Sequence, residues 1–361
     1  MRFKDLREFI AFLEDRGELR RIQVQVTWEL EIAEIADRMV KSGGPALLFE
    51  NVLGYEMPVL INLFASHTRM AWALGVDKLD DVVDRVHGLL DLMHGPPEGL
   101  VNRVRTLGRL VRLGSFQPKI VSRAPCQDVV LAGPDVDLLK FPVLKCWPLD
   151  GGRFITLPLV ITRDPSTGVQ NYGIYRMQVY DGQTAGMHWQ THKVGASHYR
   201  ANQASNQERM PVAVALGGDP ATIWTGSAPL PPDMDEMAMA GFLREEGVDM
   251  VKAKTCDLLV PAQAEIVLEG YVIPGEERPE GPFGDHTGYY SPAEPYPVFH
   301  VTTITHRRDP IYPATIVGRP PMEDYYMGKV TERIFMPLIQ LMLPEVVDIN
   351  MPAEGVFHNL V

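Results

Sequence analysis

Along the first 110 residues the apolar positions recur at helical and strand spacing in turn. Leu6, Phe9, Ile10 and Leu13 share one helical face, and Gly17 follows as a stop. Thr27 stands where it can cap a second helix carrying Leu30, Ala33, Ile35 and Met39. Apolar runs at 46–49 and 58–63 read as buried strands, and helical periodicity resumes near Ser66 and Leu79. A connector follows, GPPE at 95–98 and then a basic run with Arg103, Arg105, Arg109 and Arg112. That run reads as a solvated helix face rather than a phosphate site.

From residue 115 the pattern changes to runs of Val, Ile, Thr and Tyr broken by Asp-Gly, Gly-Gly and Pro-Gly pairs. Strands are expected at 155–162, 170–180, 211–216, 249–256, 264–272, 299–306 and 311–317, with a hairpin turn in YDGQT at 180–184. So many short strands predict a barrel or sandwich, with helices inserted at 196–204 and 234–244. GRPP at 318–321 breaks the pattern, and a helix is expected over 327–343. The last residues, GVFHNLV at 355–361, rise into an apolar, strand-like run, from which we expect a chain that stops within an element. The chain shows neither an internal repeat nor a low-complexity segment.

Bulk properties narrow the partners. A chain of 361 residues is long for one core, and two domains are the natural expectation. A net charge of −12 argues against a nucleic-acid partner, which needs a basic face to displace counterions. Cys126, Cys146 and Cys256 are odd in number and widely spaced, as reduced thiols of a cytoplasmic protein would be. The most apolar run, 334–343, falls short of the ~20 residues a bilayer requires. The opening MRFKDL has no apolar signal-peptide core.

Four clusters could carry chemistry. EGPFGDHTGYY at 280–290 sets Glu280 and Asp285 on a loop hinged by Gly281, Pro282 and Gly284, beside His286. Paired carboxylates with a neighbouring imidazole suit proton transfer, because repulsion and burial push their pKa values apart. The plainer reading is a turn whose acids bond their own backbone. In NYGIYR at 171–176, Asn171, Gly173 and Tyr175 would share one strand face, leaving Arg176 on the other to clamp a carboxylate or phosphate or to sit in an ordinary surface ion pair. HWQTH at 188–192 spaces two histidines as metal ligands on a helix would be, but it follows a hairpin strand and lacks the glutamate of a zinc protease. Glu236 begins a helix, where the helix dipole alone would favour an acid.

Taken in order, these motifs resemble one family. NYGIYR, the Trp189–His192 segment, PVAVALGGDPA at 211–221, AEIVLEG at 264–270, EGPFGDHTGYY and GRPP are similar to the UbiD decarboxylases, as are LREF at 6–9 and GPALLFEN at 44–51. The resemblance implies an α+β protein: an N-terminal α/β lobe (1–114), a central split β-barrel of flavin-reductase type (115–317) and the start of a C-terminal α/β domain (318–361). It also implies that relatives continue beyond residue 361 into the rest of that domain, which supplies a cofactor-binding lysine and much of an oligomer contact.

The resemblance further implies prenylated FMN as cofactor, supplied by a flavin prenyltransferase, with Mn2+ bridging to the flavin phosphate and K+ as a second candidate ion. Asn171, His192 and Glu236 match the metal ligands, a mostly hard set compatible with Mn2+. Ile174, Tyr175, Arg176, His188, Trp189, Gln190, Lys193 and Val194 match cofactor-wrapping segments, although Val194 stands where relatives often have Gly and Ala228 where they have a larger residue. Arg176, Glu280 and Asp285 match the catalytic network, with Asp285 expected to carry the proton that ends on the substrate carbon. The activity implied is non-oxidative decarboxylation of a 4-hydroxybenzoate-type or dihydroxynaphthoate-type acid in ubiquinone or menaquinone biosynthesis, the menaquinone side being slightly favoured. A lipophilic substrate would leave room for peripheral membrane association, and a homo-oligomer is expected. The alternatives are a phenolic-acid (de)carboxylase of aromatic degradation and a catalytically silent flavin-binding fragment.

Overall fold

Two long strands, Ile266–Glu280 and Glu294–His306, form the antiparallel hairpin around which the computed structural model is built. The structure describes residues 1–93, 113–231 and 234–361, so the connector with its four arginines lies outside the described residues. The strand order of the large sheet is Arg153–Ile155, Met177–Val179, Thr184–Gly186, Glu294–His306, Ile266–Glu280, Met210–Leu216, Pro158–Arg163 and Gln170–Ile174, with Val129–Ala132 pairing off the side. It curls into a half-barrel, and its inward side chains, among them Val160, Met177, Val212, Leu268 and Phe299, merge with the core of the first lobe.

The first lobe packs helices against a sheet ordered Leu19–Ile22, Ala46–Phe49, Val59–Ile61 and Tyr312–Pro313. Asp5 caps the helix Leu6–Asp15 by accepting from Arg7 N and Glu8 N, and Leu6, Phe9, Ile10 and Leu13 are its buried face, as the spacing predicts. The second helix departs from expectation. It spans Glu31–Lys41 with Leu30 at φ 65° ahead of it, and it buries Ile32, Ala33, Ala36 and Val40, while Ile35 and Met39 pack partly buried against the same core. Thr27 instead braces the preceding turn, its hydroxyl accepting from Glu29 N.

Strand expectations also change: the 155–162 run splits into Arg153–Ile155 and Pro158–Arg163. The 170–180 run splits into Gln170–Ile174 and Met177–Val179, which lie near opposite ends of the sheet order. The 249–256 run pairs only over Asp249–Lys252, between Leu259–Pro261 and Lys119–Val121. The 311–317 run leaves the barrel altogether: Tyr312 and Pro313 pair in parallel with Val59 and Leu60, completing the first sheet. The hairpin at 180–184 forms as its composition predicts, with Asp181 Oδ1 accepting from Gln183 N and Thr184 N.

The last helix begins four residues earlier than its periodicity suggests, over Glu323–Met342. Beyond it the chain is irregular, and 355–361 forms no strand. Val356 and Phe357 take φ 54° and 47°, which stops the run from extending, and the Phe357 ring meets Tyr325 of the helix.

Gly270 marks the tightest packing inside the hairpin. A Cβ there would lie 1.8 Å from His300 O across the ladder, where the strand register also shifts. Gly270→Ala is expected to lower stability by about 1–3 kcal/mol through forced strand separation. Thermal unfolding measures it, and an unchanged melting temperature would show that the ladder gives way freely.

Candidate active site

The break between the split strands is where the site begins. Asn171 lies in Gln170–Ile174 and Tyr175 follows on its side, its hydroxyl within 3.5 Å of Asn171 Nδ2 and accepting from Gly195 N at 3.2 Å. Arg176 points the other way, over the Phe283 ring at 4.3 Å from guanidinium carbon to centroid. From there Nε donates to Glu280 Oε1 at 3.1 Å, Nη1 to Asp285 Oδ2 at 2.9 Å and Nη2 to Ser291 Oγ at 3.3 Å. One planar fork thus holds both acids of the glycine-hinged segment.

That segment is less a loop than an extension of the hairpin. Glu280 is the last residue of Ile266–Glu280, and a small ladder, Phe283–Gly284 with Tyr290–Ser291, carries Asp285 on its tip. Gly281 takes φ 103°, which bends the chain out of the long strand. Gly284 packs so close to Trp147 that a Cβ would meet its Cδ1 at 2.1 Å. The bend is pinned from a neighbouring loop: buried Asp150 accepts from Gly284 N at 2.8 Å, and Gln178 Oε1 accepts from Gly281 N at 2.7 Å. Asp150, Gln178, Ser291 and Phe283 carry no sequence signal of their own. They lie far along the chain or look like ordinary turn and strand residues, and only the fold brings them here.

The two acids are held differently. Glu280 is fully buried and completes its second oxygen with His188 Nδ1 at 2.7 Å, the imidazole being packed on Tyr296. Asp285 is one-fifth exposed at its side chain. Its Oδ1 faces His286 Nδ1 at 2.6 Å and accepts from His286 N at 2.8 Å, while Oδ2 also accepts from Ser291 Oγ at 3.2 Å. Burial works against the charge of Asp285, but the bonds from His286 and the charge of Arg176 outweigh it and hold the carboxyl well below the usual carboxylate range. The same contact with Asp285 raises the His286 imidazole above its ordinary value despite burial. The donors around Asp285 therefore favour its ionised form and a proton on His286, whereas the sequence reading expects Asp285 itself to carry the proton.

A second cluster forms around Glu236, at the head of the helix Glu236–Arg244, which Asp235 caps. Burial pushes the Glu236 carboxyl up to about 7. Glu236 Oε2 accepts from Tyr172 N at 3.3 Å. Turned one way, the Asn171 amide donates to Glu236 Oε1 at 3.0 Å; turned the other, it sets oxygen against oxygen at that spacing, as two ligands of one cation do. His192 does not join them. It is exposed and makes no hydrogen bond or ion pair among the described residues, and His188 is committed to Glu280, so the two histidines do not form a chelating pair. Among the described residues no three His, Cys, Asp or Glu side chains converge as a metal centre.

Ile174 is half-buried and donates its N–H to Gly226 O. Gln190 and Lys193 are exposed, and Val194 opens the helix Val194–Ala204 with Lys193 before it and no side-chain cap. Buried Trp189 keeps its indole Nε1 without a partner. An uncapped helix start and an orphaned donor fit an anionic, hydrogen-bonding group such as a flavin phosphate, and the Asn171–Glu236 oxygens fit a hard cation beside it.

Asp285 also lines a cavity of about 250 Å3 with Lys41, Trp147, Tyr289, Tyr290 and Arg319. A larger cavity of about 900 Å3, lined by Arg7, Arg21, Tyr55 and Arg308, shares none of these residues. Volume alone would point away from the chemistry, and the buried charged network locates the site instead. No helix among the described residues is long and apolar enough to cross a membrane.

Known proteins resemble this chain along nearly its whole length. Residues 119–320 match the 3-octaprenyl-4-hydroxybenzoate carboxy-lyase Rift-related domain, residues 10–86 the N-terminal domain of the same enzymes and residues 325–361 their C-terminal domain. An uncharacterized protein of Archaeoglobus fulgidus is 54% identical over 360 residues, covering 100% of this chain and 73% of its own length. The UbiD-class enzyme HmfF of Pelotomaculum thermopropionicum, solved in complex with prFMN, superposes with a TM-score of 0.85 at 30% identity, over 98% of this chain and 77% of that one. The vanillic acid decarboxylase of Sedimentibacter hydroxybenzoicus in closed form gives 0.84 at 30% identity, over 99% and 72%. With its α+β fold, curled half-barrel and matches along nearly all its length, this chain belongs to the UbiD family of carboxy-lyases.

Proposed function

We propose that the chain removes CO2 from an aromatic carboxylic acid without net oxidation, with prenylated FMN as cofactor and Mn2+ beside its phosphate. The observation that carries this reading is the guanidinium of Arg176 shared between buried Glu280 and cavity-lining Asp285. Similarity to an enzyme solved with prFMN supports the cofactor. The prenylated flavin, when bound, supplies the electron sink that decarboxylation of an aromatic acid requires.

The chain's own residues do the rest. Arg176 has five N–H donors and spends three on Glu280, Asp285 and Ser291, which leaves two for a substrate carboxylate. Fixed at Glu280, the fork orients that carboxylate before CO2 leaves. Asp285 faces the cavity and is the group that delivers a proton to the carbon left behind. Asn171, Glu236 and, once brought in, His192 would hold the cation, which screens Glu236 from the flavin phosphate.

For the substrate we retain a 4-hydroxybenzoate-type or dihydroxynaphthoate-type acid of quinone biosynthesis, supported by the family's octaprenyl-hydroxybenzoate members. Similarity to a vanillic acid decarboxylase favours a phenolic acid of degradation as the second reading. Co-expression with a flavin prenyltransferase, followed by cofactor mass, absorbance spectrum and CO2 release from both sets of acids, decides among them. A modified flavin with turnover supports the enzyme, and the preferred acid selects the reading. Plain FMN or none, with no CO2 from any acid, sinks both.

The cation gives a separate expectation. Asn171→Ala or Glu236→Ala should weaken Mn2+ retention by more than about tenfold, since even residues behind a ligand cost that much. Metal analysis of dialysed protein measures it, and equal manganese in wild type and both variants would move the ion elsewhere.

A further inference from the structure

The two oxygens of Asp285 are surrounded by donors, which favours the carboxylate, and a carboxylate with no proton cannot give one. Asp285 accepts from four donors, and of these only one can release a proton near neutrality. Arg176 keeps its charge throughout, the His286 backbone N–H does not dissociate, and the Ser291 hydroxyl is far too weak an acid. The fourth donor is the His286 side chain, 2.6 Å from Oδ1 and on the opposite oxygen from Arg176.

From this geometry we infer that His286 is the proton store that reloads Asp285 during turnover, acting through the carboxylate and not on the substrate. The inference rests on the proposed decarboxylation. The balance closes: the substrate enters as a carboxylate, CO2 departs neutral, and the electron pair left on carbon takes the proton of Asp285. That proton reaches Asp285 Oδ1 from His286 Nδ1, and solvent restores it to the imidazole. The imidazole is placed for that last exchange, with its side chain about one-third exposed.

The groups facing His286 come from four elements. Asp285 is on its own turn, Arg176 lies between the split strands, Asp324 is on the helix Glu323–Met342, and His358 lies in the final segment with ring centroids 5.0 Å away. Asp285 and Asp324 favour the imidazolium, while Arg176 and His358 oppose it. Asp285 is the strongest of them, so the imidazole gains its proton through the acid it serves. Desolvation pushes the Asp324 carboxyl up to about 7, which places a second titrating group beside the same ring.

The test compares His286→Gln with wild type. Glutamine can still donate to Asp285 but holds no transferable proton, so a purely structural role would survive it. We expect kcat to fall by about tenfold or more and the alkaline limb of the pH–kcat profile to lose its imidazole titration. Added imidazole should partly restore turnover in His286→Ala. Wild-type kcat with an unaltered alkaline limb in His286→Gln overturns the inference. A second readout needs neither cofactor nor turnover: NMR titration of His286 in the chain as purified. The imidazole should titrate above its ordinary value and fall back in Asp285→Asn, whereas a titration indifferent to that substitution overturns the pairing. Absence of CO2 release from the wild-type holoenzyme would instead count against the functional reading, and the titration would still decide the pairing.

Discussion

Replacing Arg176 with alanine should cost both turnover and stability, because this side chain is the counter-charge for two acids. Glu280 is fully buried, and its two oxygens are matched to Arg176 Nε and His188 Nδ1. Removing one member of a buried charged pair typically costs about 3–5 kcal/mol, as the remaining charge keeps its desolvation penalty and loses its partner. Asp285 loses one of its four donors in the same step and Ser291 another contact. On the reaction, loss of a preorganised cationic clamp is expected to lower kcat/KM by roughly 10²–10³-fold. Arg176→Lys discriminates between charge and fork. A lysine ammonium cannot reach Glu280, Asp285 and Ser291 from one plane, so it should recover part of the stability and little of the rate. Calorimetry and CO2 release measure the two effects. An alanine variant that melts and turns over like wild type would mean that the fork is decorative.

How much of this was legible in the chain depends on what each residue's signal was local to. The first helix declared itself because Leu6, Phe9, Ile10 and Leu13 repeat at helical spacing with Asp5 just ahead. Leu30 did not. A leucine at positive φ has no sequence signature, and it stands at the N-cap, outside the helix whose face it was expected to share. The 170–180 run looks like one strand because Tyr, Ile and Val recur along it with no turn pair between them, yet the chain leaves one part of the sheet at Tyr175 and re-enters another at Met177. That crossing aims Arg176 at the acids, so the element most misread is the one the site is built on. Glycines and Pro282 marked the acidic segment as special, and the resemblance singled out Arg176, Glu280 and Asp285. What one sequence could not show was the protonation pattern. The charge of Asp285 depends on His286 and Arg176 at the same time, and only their placement in the fold decides between repulsion from Glu280 and capture by these donors.

Asp285→Asn carries the other large effect, and it separates chemistry from binding. The substitution keeps shape and an oxygen for Arg176, and it leaves Asn171, Glu236 and Trp189 untouched, so flavin and manganese should be retained. Turnover should fall by more than about 10²–10⁴-fold, the usual contribution of a positioned acid, since an amide delivers no proton to carbon. Its effect on stability should vary with pH in a direction that the two shifts fix. Asp285 titrates lower in the folded chain than in the unfolded one, so its contribution is present above the unfolded carboxyl value of about 3.9 and fades only in stronger acid. His286 titrates higher when folded, so its contribution is complete below the unfolded imidazole value of about 6.5 and is lost as pH rises through the raised value. Both are present together in mildly acidic solution. The wild type should therefore exceed Asp285→Asn in stability by more at about pH 5.5 than at about pH 9, where only the pairing with Arg176 remains. Denaturant melts at the two pH values read this directly. A margin that does not shrink between the two pH values would show that Asp285 does not hold the proton on His286, and wild-type CO2 release from the variant would take Asp285 out of the reaction.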